Sequence, residues 1–88
     1  MRRIIIDGDE IYSKEKLHRM MKEAFNLPDY YGKNLDALHD CLTEIPGAEL
    51  QLRNVSKMIE WLGHYGESFI AVLEKIQEER TDFHFKLI

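Results

Sequence analysis

Asp36, Asp40 and Glu44 are the residues whose type and spacing most invite chemistry. They fall at i, i+4 and i+8, so a helix would carry all three carboxylates on one face. Like charges four apart repel by a few tenths of a kcal/mol. Asp36 would sit in the first turn, where the helix dipole welcomes an anion, but Asp40 and Glu44 run toward the end that does not. No lysine or arginine lies three or four positions from Asp40. Left to itself such a face is mildly self-repelling, and a cationic partner would relieve it. Tyr30 and Tyr31 precede the row beside Gly32, and aromatic side chains next to charge suit an interface, because they give rigid contact area at low entropic cost. One tyrosine of the pair is expected to be at least partly buried.

Two enzymatic readings of the same residues are weaker. Asp36, His39 and Asp40 have helical metal-ligand spacing. His18, His64 and His84 offer no spacing that completes a site, so neither a metal nor a cofactor is expected, and no catalysis. Cys41 falls on the apolar stripe of the same helix, where a small buried thiol is the ordinary reading. His39, set among carboxylates, is expected to make partner binding sensitive to mildly acidic pH.

Composition narrows the partner. The chain has 88 residues, 12 basic against 16 acidic, and a net charge of −4. The segment from Asp29 to Glu44 has four acids and one lysine, a net −3, and so holds most of that charge. Direct nucleic-acid binding would need a compensating basic patch, and the one adjacent basic pair, Arg2-Arg3, opens a strand. No apolar run reaches the ~20 residues of a membrane span. One cysteine cannot make an internal disulfide, which favours a reducing, cytoplasmic setting.

The elements that must position these residues read as one α/β domain over 1–88. Arg2 to Ile6 is a β-branched run read as a buried strand, closed by Asp7-Gly8-Asp9. Leu17, Met20, Met21, Ala24 and Phe25 make a helical stripe with Ser13 as its N-cap and Pro28 as its stop. A second helix starts at the Asn34 cap, turns Leu35, Leu38, Cys41 and Leu42 inward, and ends at Pro46-Gly47. Glu49 to Val55 alternates as a strand. Ser56 is the expected cap of a third helix bearing Met58, Ile59 and Leu62, closed by Gly63. A fourth follows Gly66 with Phe69, Ile70, Leu73 and Ile76 inward, and Phe83–Leu87 is a last strand. Trp61 and Tyr65 are expected to pack at the corner between these two helices. The order is β-α-α-β-α-α-β, and helical crossovers make the three strands parallel.

Leu27-Pro28, Tyr30-Tyr31-Gly32, Asn34-Leu35-Asp36-Ala37-Leu38 and Asp40-Cys41-Leu42-Thr43 together resemble the central segment of the barstar family, intracellular inhibitors of the ribonuclease barnase. Weaker similarity extends from Ile4-Ile5-Ile6-Asp7-Gly8 to the last strand. The resemblance implies a three-stranded parallel sheet packed by four helices. It also implies a 1:1 complex in which a monomeric inhibitor plugs a basic ribonuclease's active site with its second helix and preceding loop. Asp40 would then be the central acid, mimicking the substrate phosphate, and Asp36 would pair with another basic group. Tyr30, Gly32, Asn34 and Thr43 would surround them, with Glu79 contributed by the last helix. Two positions depart from the family pattern. His39 replaces an aromatic residue between the two key acids, and Lys75 stands where the last helix has an acid. Both changes favour a different cognate enzyme, or an immunity or regulatory module of the same fold with a non-ribonuclease target.

Overall fold

The computed structural model describes residues 2–88. Strand β1 (Arg2–Asp7) leads through a single 3-10 turn at Gly8–Glu10 into α1 (Lys14–Phe25) and α2 (Leu35–Leu42). Then follow β2 (Ala48–Arg53), α3 (Val55–Leu62), α4 (His64–Glu79) and β3 (Phe83–Leu87). The strands lie in the order β1-β2-β3 and all run parallel, as the sequence predicts. Because the chain steps across the sheet in one direction, two right-handed crossovers place both helix pairs on the same face.

That one-sided cover decides which strand residues are buried. Ile4 aligns with Leu50 and Phe85, and Ile6 with Leu52 and Leu87, along the helix-covered face. Ile5, aligned with Gln51 and Lys86 on the other face, is 57% exposed. The three isoleucines therefore do not form a strand buried on both sides: alternation puts only Ile4 and Ile6 inside. Parallel sheets are usually covered on both faces. This one leaves Arg3, Ile5, Arg53, His84 and Lys86 on a bare side.

Caps set the helix boundaries. Ser13 Oγ accepts from Lys16 N at 3.1 Å to start α1, and Leu17, Met21 and Phe25 form its buried stripe. The helix ends before Pro28, at Asn26 in left-handed conformation (φ 52°, ψ 50°), a residue type that tolerates it. Asn34 Oδ1 accepts from Ala37 N at 2.8 Å to start α2, which stops at Leu42, short of Pro46. Ser56 is not the cap of α3. Asn54, at φ 52°, precedes the helix and instead donates from Nδ2 to Asp7 Oδ1 at 2.8 Å, which ties the end of β1 to α3 and holds the Asp7 carboxyl below its usual range. Val55 thus begins a helix and does not extend β2. Gly8 lies against this joint, where a Cβ would meet Asn54 O at 2.4 Å. The last helix begins at His64, directly after Gly63 (φ 54°, ψ −130°), so Gly66 lies inside it and not before it. Trp61 falls outside the Val55–Met58–Ile59–Leu62 stripe and is 63% exposed, so it is no core residue.

Candidate functional site

The loop from Leu27 to Asn34 is fixed from inside. Leu27 is buried, Tyr31 N donates to Pro28 O at 2.9 Å, and the Tyr31 ring is sealed in the core. Its hydroxyl meets His18 Nδ1 at 2.5 Å, and the Tyr65 hydroxyl meets His18 Nε2 at 2.6 Å. A neutral imidazole has one N–H and one bare nitrogen, so one tyrosine accepts and the other donates. Burial pushes the His18 ring below the ordinary imidazole range and the Tyr31 phenol above its own. This lock holds the loop so that Tyr30, next in sequence, points outward and is 86% exposed. The tyrosine pair is thus divided into an anchor and a free aromatic.

Gly32 and Asn34 close the loop onto α2. Asn34 Nδ2 donates to Gly32 O at 3.3 Å while its oxygen caps the helix, so both ends of the amide are engaged. A Cβ on Gly32 would lie 3.2 Å from the Ala37 Cβ, a tight approach that α2 would have to yield to by a few tenths of an ångström. Asp36 follows in the first turn, exposed. The Asp40 side chain is 84% exposed, and no lysine or arginine comes within 4 Å of Asp36 or Asp40 among the described residues. Thr43 Oγ1 donates back to Asp40 O at 2.7 Å at the foot of the row.

The far wall comes from α4. Arg80 Nη1 donates to Leu42 O at 2.7 Å, and its Nε and Nη2 grip Asp82 at 2.9 Å each. The end of α4 is thereby fastened to the end of α2. Glu79 is left facing α2, and His39 Nε2 lies 2.7 Å from its Oε1. The other ring nitrogen is 3.7 Å from Asp40 Oδ1. Tyr30, Gly32, Asn34, Asp36, His39, Asp40, Thr43 and Glu79 therefore occupy one continuous region: loop, exposed face of α2 and end of α4. A groove of about 1120 Å3 runs beside it, with Tyr30, Asp40 and Glu44 on its rim and Phe25 and Leu27 beneath.

Chemically the region is a row of ready carboxylate hydrogen-bond acceptors. His39 is turned to Glu79 and does not share a point with Asp36 and Asp40, and no cluster of three potential metal ligands occurs among the described residues. Cys41 is only partly buried. Burial and the charges of Glu44 and Asp40 push its thiol above the usual range, which suppresses the nucleophilic thiolate. Two contributors escape a reading of the sequence. Nothing marks Arg80 as the fastening of α4, and His18 looks like any polar residue interrupting an apolar stripe.

The fold is thus a parallel three-stranded sheet covered on one side by two helix pairs, with carboxylates lined up on an exposed helix face. The profile of the family described as Barstar (barnase inhibitor) matches residues 1–88, and the chain belongs to that family. Among its relatives is the Bacillus subtilis (strain 168) protein named "Putative ribonuclease inhibitor YrdF". The two are 44% identical over 91 residues, which takes in 100% of this chain and 98% of the relative. No helix among the described residues is long and apolar enough to cross a membrane.

Proposed function

We propose that this chain is a cytoplasmic, monomeric inhibitor that binds a basic bacterial ribonuclease one to one and blocks its active site. Family membership and the relative's name support a ribonuclease-inhibitor role, and the exposed row of Asp36 and Asp40 carries the reading furthest. A ribonuclease holds an RNA phosphate with cationic side chains, and a fixed carboxylate row meets those groups with charge-assisted hydrogen bonds while offering no bond to cleave. Asp40 is the central acid. Asp36 pairs with a second cation, Tyr30 packs its free ring against the enzyme, and Gly32, Asn34, His39, Thr43 and Glu79 shape the surroundings.

Lys75, exposed on α4 one turn before Glu79, supports a second reading in which the same surface serves a non-ribonuclease partner. One experiment separates them: a small guanyl-specific bacterial ribonuclease is titrated with the purified protein at low and high salt. Stoichiometric inhibition that weakens with salt, as exposed ion pairs must, is the expected result. Absence of inhibition, with capture of a different protein through the Asp40 surface, sinks the ribonuclease reading.

A further inference from the structure

His39 faces two carboxylates at once, from different helices. Its Nε2 is 2.7 Å from Glu79 Oε1 and its Nδ1 3.7 Å from Asp40 Oδ1, with a quarter of the side chain (26%) exposed. The shorter contact is a hydrogen bond in which the ring N–H donates. The longer one is beyond hydrogen-bond range. In the neutral ring the bare Nδ1 lone pair faces an anion, and a second proton turns that contact into an ion pair. Other charged groups flank the ring. On α2, Asp36 lies one turn before it, and Glu44 lies in the turn that follows the helix. On α4, Lys75 lies one turn before Glu79 and Glu78 beside it. The Arg80 guanidinium is held away on Leu42 O and Asp82. With the ring neutral, Asp36, Asp40 and Glu79 present three negative charges. With it protonated, the cluster loses one.

We propose that His39 is the specificity-determining residue of the row: it clasps Glu79 to α2 and, by gaining or losing a proton, sets the charge a cationic partner meets. This rests on the row being the partner-binding surface. A partner cation on Asp40 competes with the second ring proton, so binding and protonation oppose each other, and by linkage the partner drives the proton off. The grip therefore loosens when the ring takes up its second proton. For unit charges 4 Å apart in water the effect on affinity is about fivefold. Glu79, already engaged by the ring, acts as a positioning residue more than as a free charge.

The test follows the His39 ring nitrogens by NMR from pH 5 to 8, in the free protein, in Glu79→Gln, and with the guanyl-specific ribonuclease bound. If that enzyme is not inhibited, a tetra-arginine peptide serves as the cationic probe. Glu79→Gln is expected to change the His39 ring-nitrogen shifts at pH 8 without any partner, because the Nε2–H loses its carboxylate acceptor, and the bound cation to lower the protonated fraction of the ring at pH 5.5. The ratio of affinities at pH 8 and 5.5 is expected to be about fivefold larger in the wild type than in His39→Gln. Unchanged ring-nitrogen shifts in Glu79→Gln overturn the clasp, and equal ratios in wild type and His39→Gln overturn its coupling to the partner. Failure to inhibit the ribonuclease, with the free-protein and peptide results as expected, removes the ribonuclease reading and leaves the clasp standing.

Discussion

Helices α1 and α2 are both amphipathic, each begins at a side-chain cap, and each carries one histidine, yet they differ in how their outward charges are met. On α1 the charges are mixed, Lys14, Glu15, Lys16, Arg19, Lys22 and Glu23, and several are already met: Lys22 pairs with Asp29 at 3.2 Å, and Lys14 Nζ lies 4.6 Å from the Tyr65 ring centroid. Its histidine is sealed between two tyrosines. On α2 the formal charges are of one sign, its acids have no lysine or arginine against them, and its histidine reaches outward to Glu79. Charge that the fold leaves unmet, more than charge by itself, is what the proposed partner surface rests on.

The comparison is sharpest where the two helices should agree. Leu17→Ala on α1 and Leu38→Ala on α2 each empty a fully buried site, and each should cost about 2–5 kcal/mol of unfolding free energy in urea titrations. A loss under 1 kcal/mol at either site would mean that helix is not part of the shared core. On their outward faces the helices should part company. Asp40→Ala is expected to weaken the partner complex by about 1.5–3 kcal/mol, a ten- to hundredfold change, by removing charge-assisted hydrogen bonds. The same variant should be as stable as the wild type or slightly more so, because like-charge repulsion is relieved. An unfolded Asp40→Ala protein would show that the acid is structural.

The histidines give a third contrast. Burial holds His18 below the ordinary imidazole range, so as pH falls the unfolded chain takes up its proton first. Its contribution to stability is complete above about pH 6.5 and is lost as pH drops toward the lower folded value. Urea midpoints at a series of pH values should therefore fall below pH 6.5 in the wild type, and less steeply in His18→Gln. The smallest effect is expected from Arg19→Ala on α1, within about 0.5 kcal/mol in stability and within about twofold in partner affinity by calorimetry. A large loss of affinity there would place the partner on α1 and end the distinction.

Much of this was legible in the sequence, for local reasons. Asn34 followed by Leu35, Leu38 and Leu42 specifies both a cap and a face, so the placement of Asp36 and Asp40 on the exposed side follows from periodicity alone. Ser13 and the Leu17–Met21–Phe25 stripe do the same for α1. What was not legible depends on contacts distant in sequence. The His39–Glu79 bond joins residues 40 positions apart, and the Arg80–Leu42 bond 38. Ile5 looked buried because three isoleucines in a row do not say how many faces of a sheet are covered. Trp61 looked like core because its size was weighed above its angle on α3, and Asn54 was missed as the start of α3 because its side chain is spent on Asp7.

Every strand pairing in the sheet spans a long stretch of chain: β1 residues meet partners 46 positions ahead, and β2 residues meet partners 35 ahead. No hairpin is available to begin the ladder, so each strand pair must wait until a whole helix pair has been looped out. High contact order of this kind slows folding relative to a helical bundle of equal size. Nascent helices have time to form before the sheet registers, and the Arg2–Asp7 segment stays unpaired until Ala48–Arg53 has been made. Folding would therefore be limited by the search of the first strand for the second, which makes the β1–β2 ladder the place where a mutation would slow folding without altering the exposed face of α2.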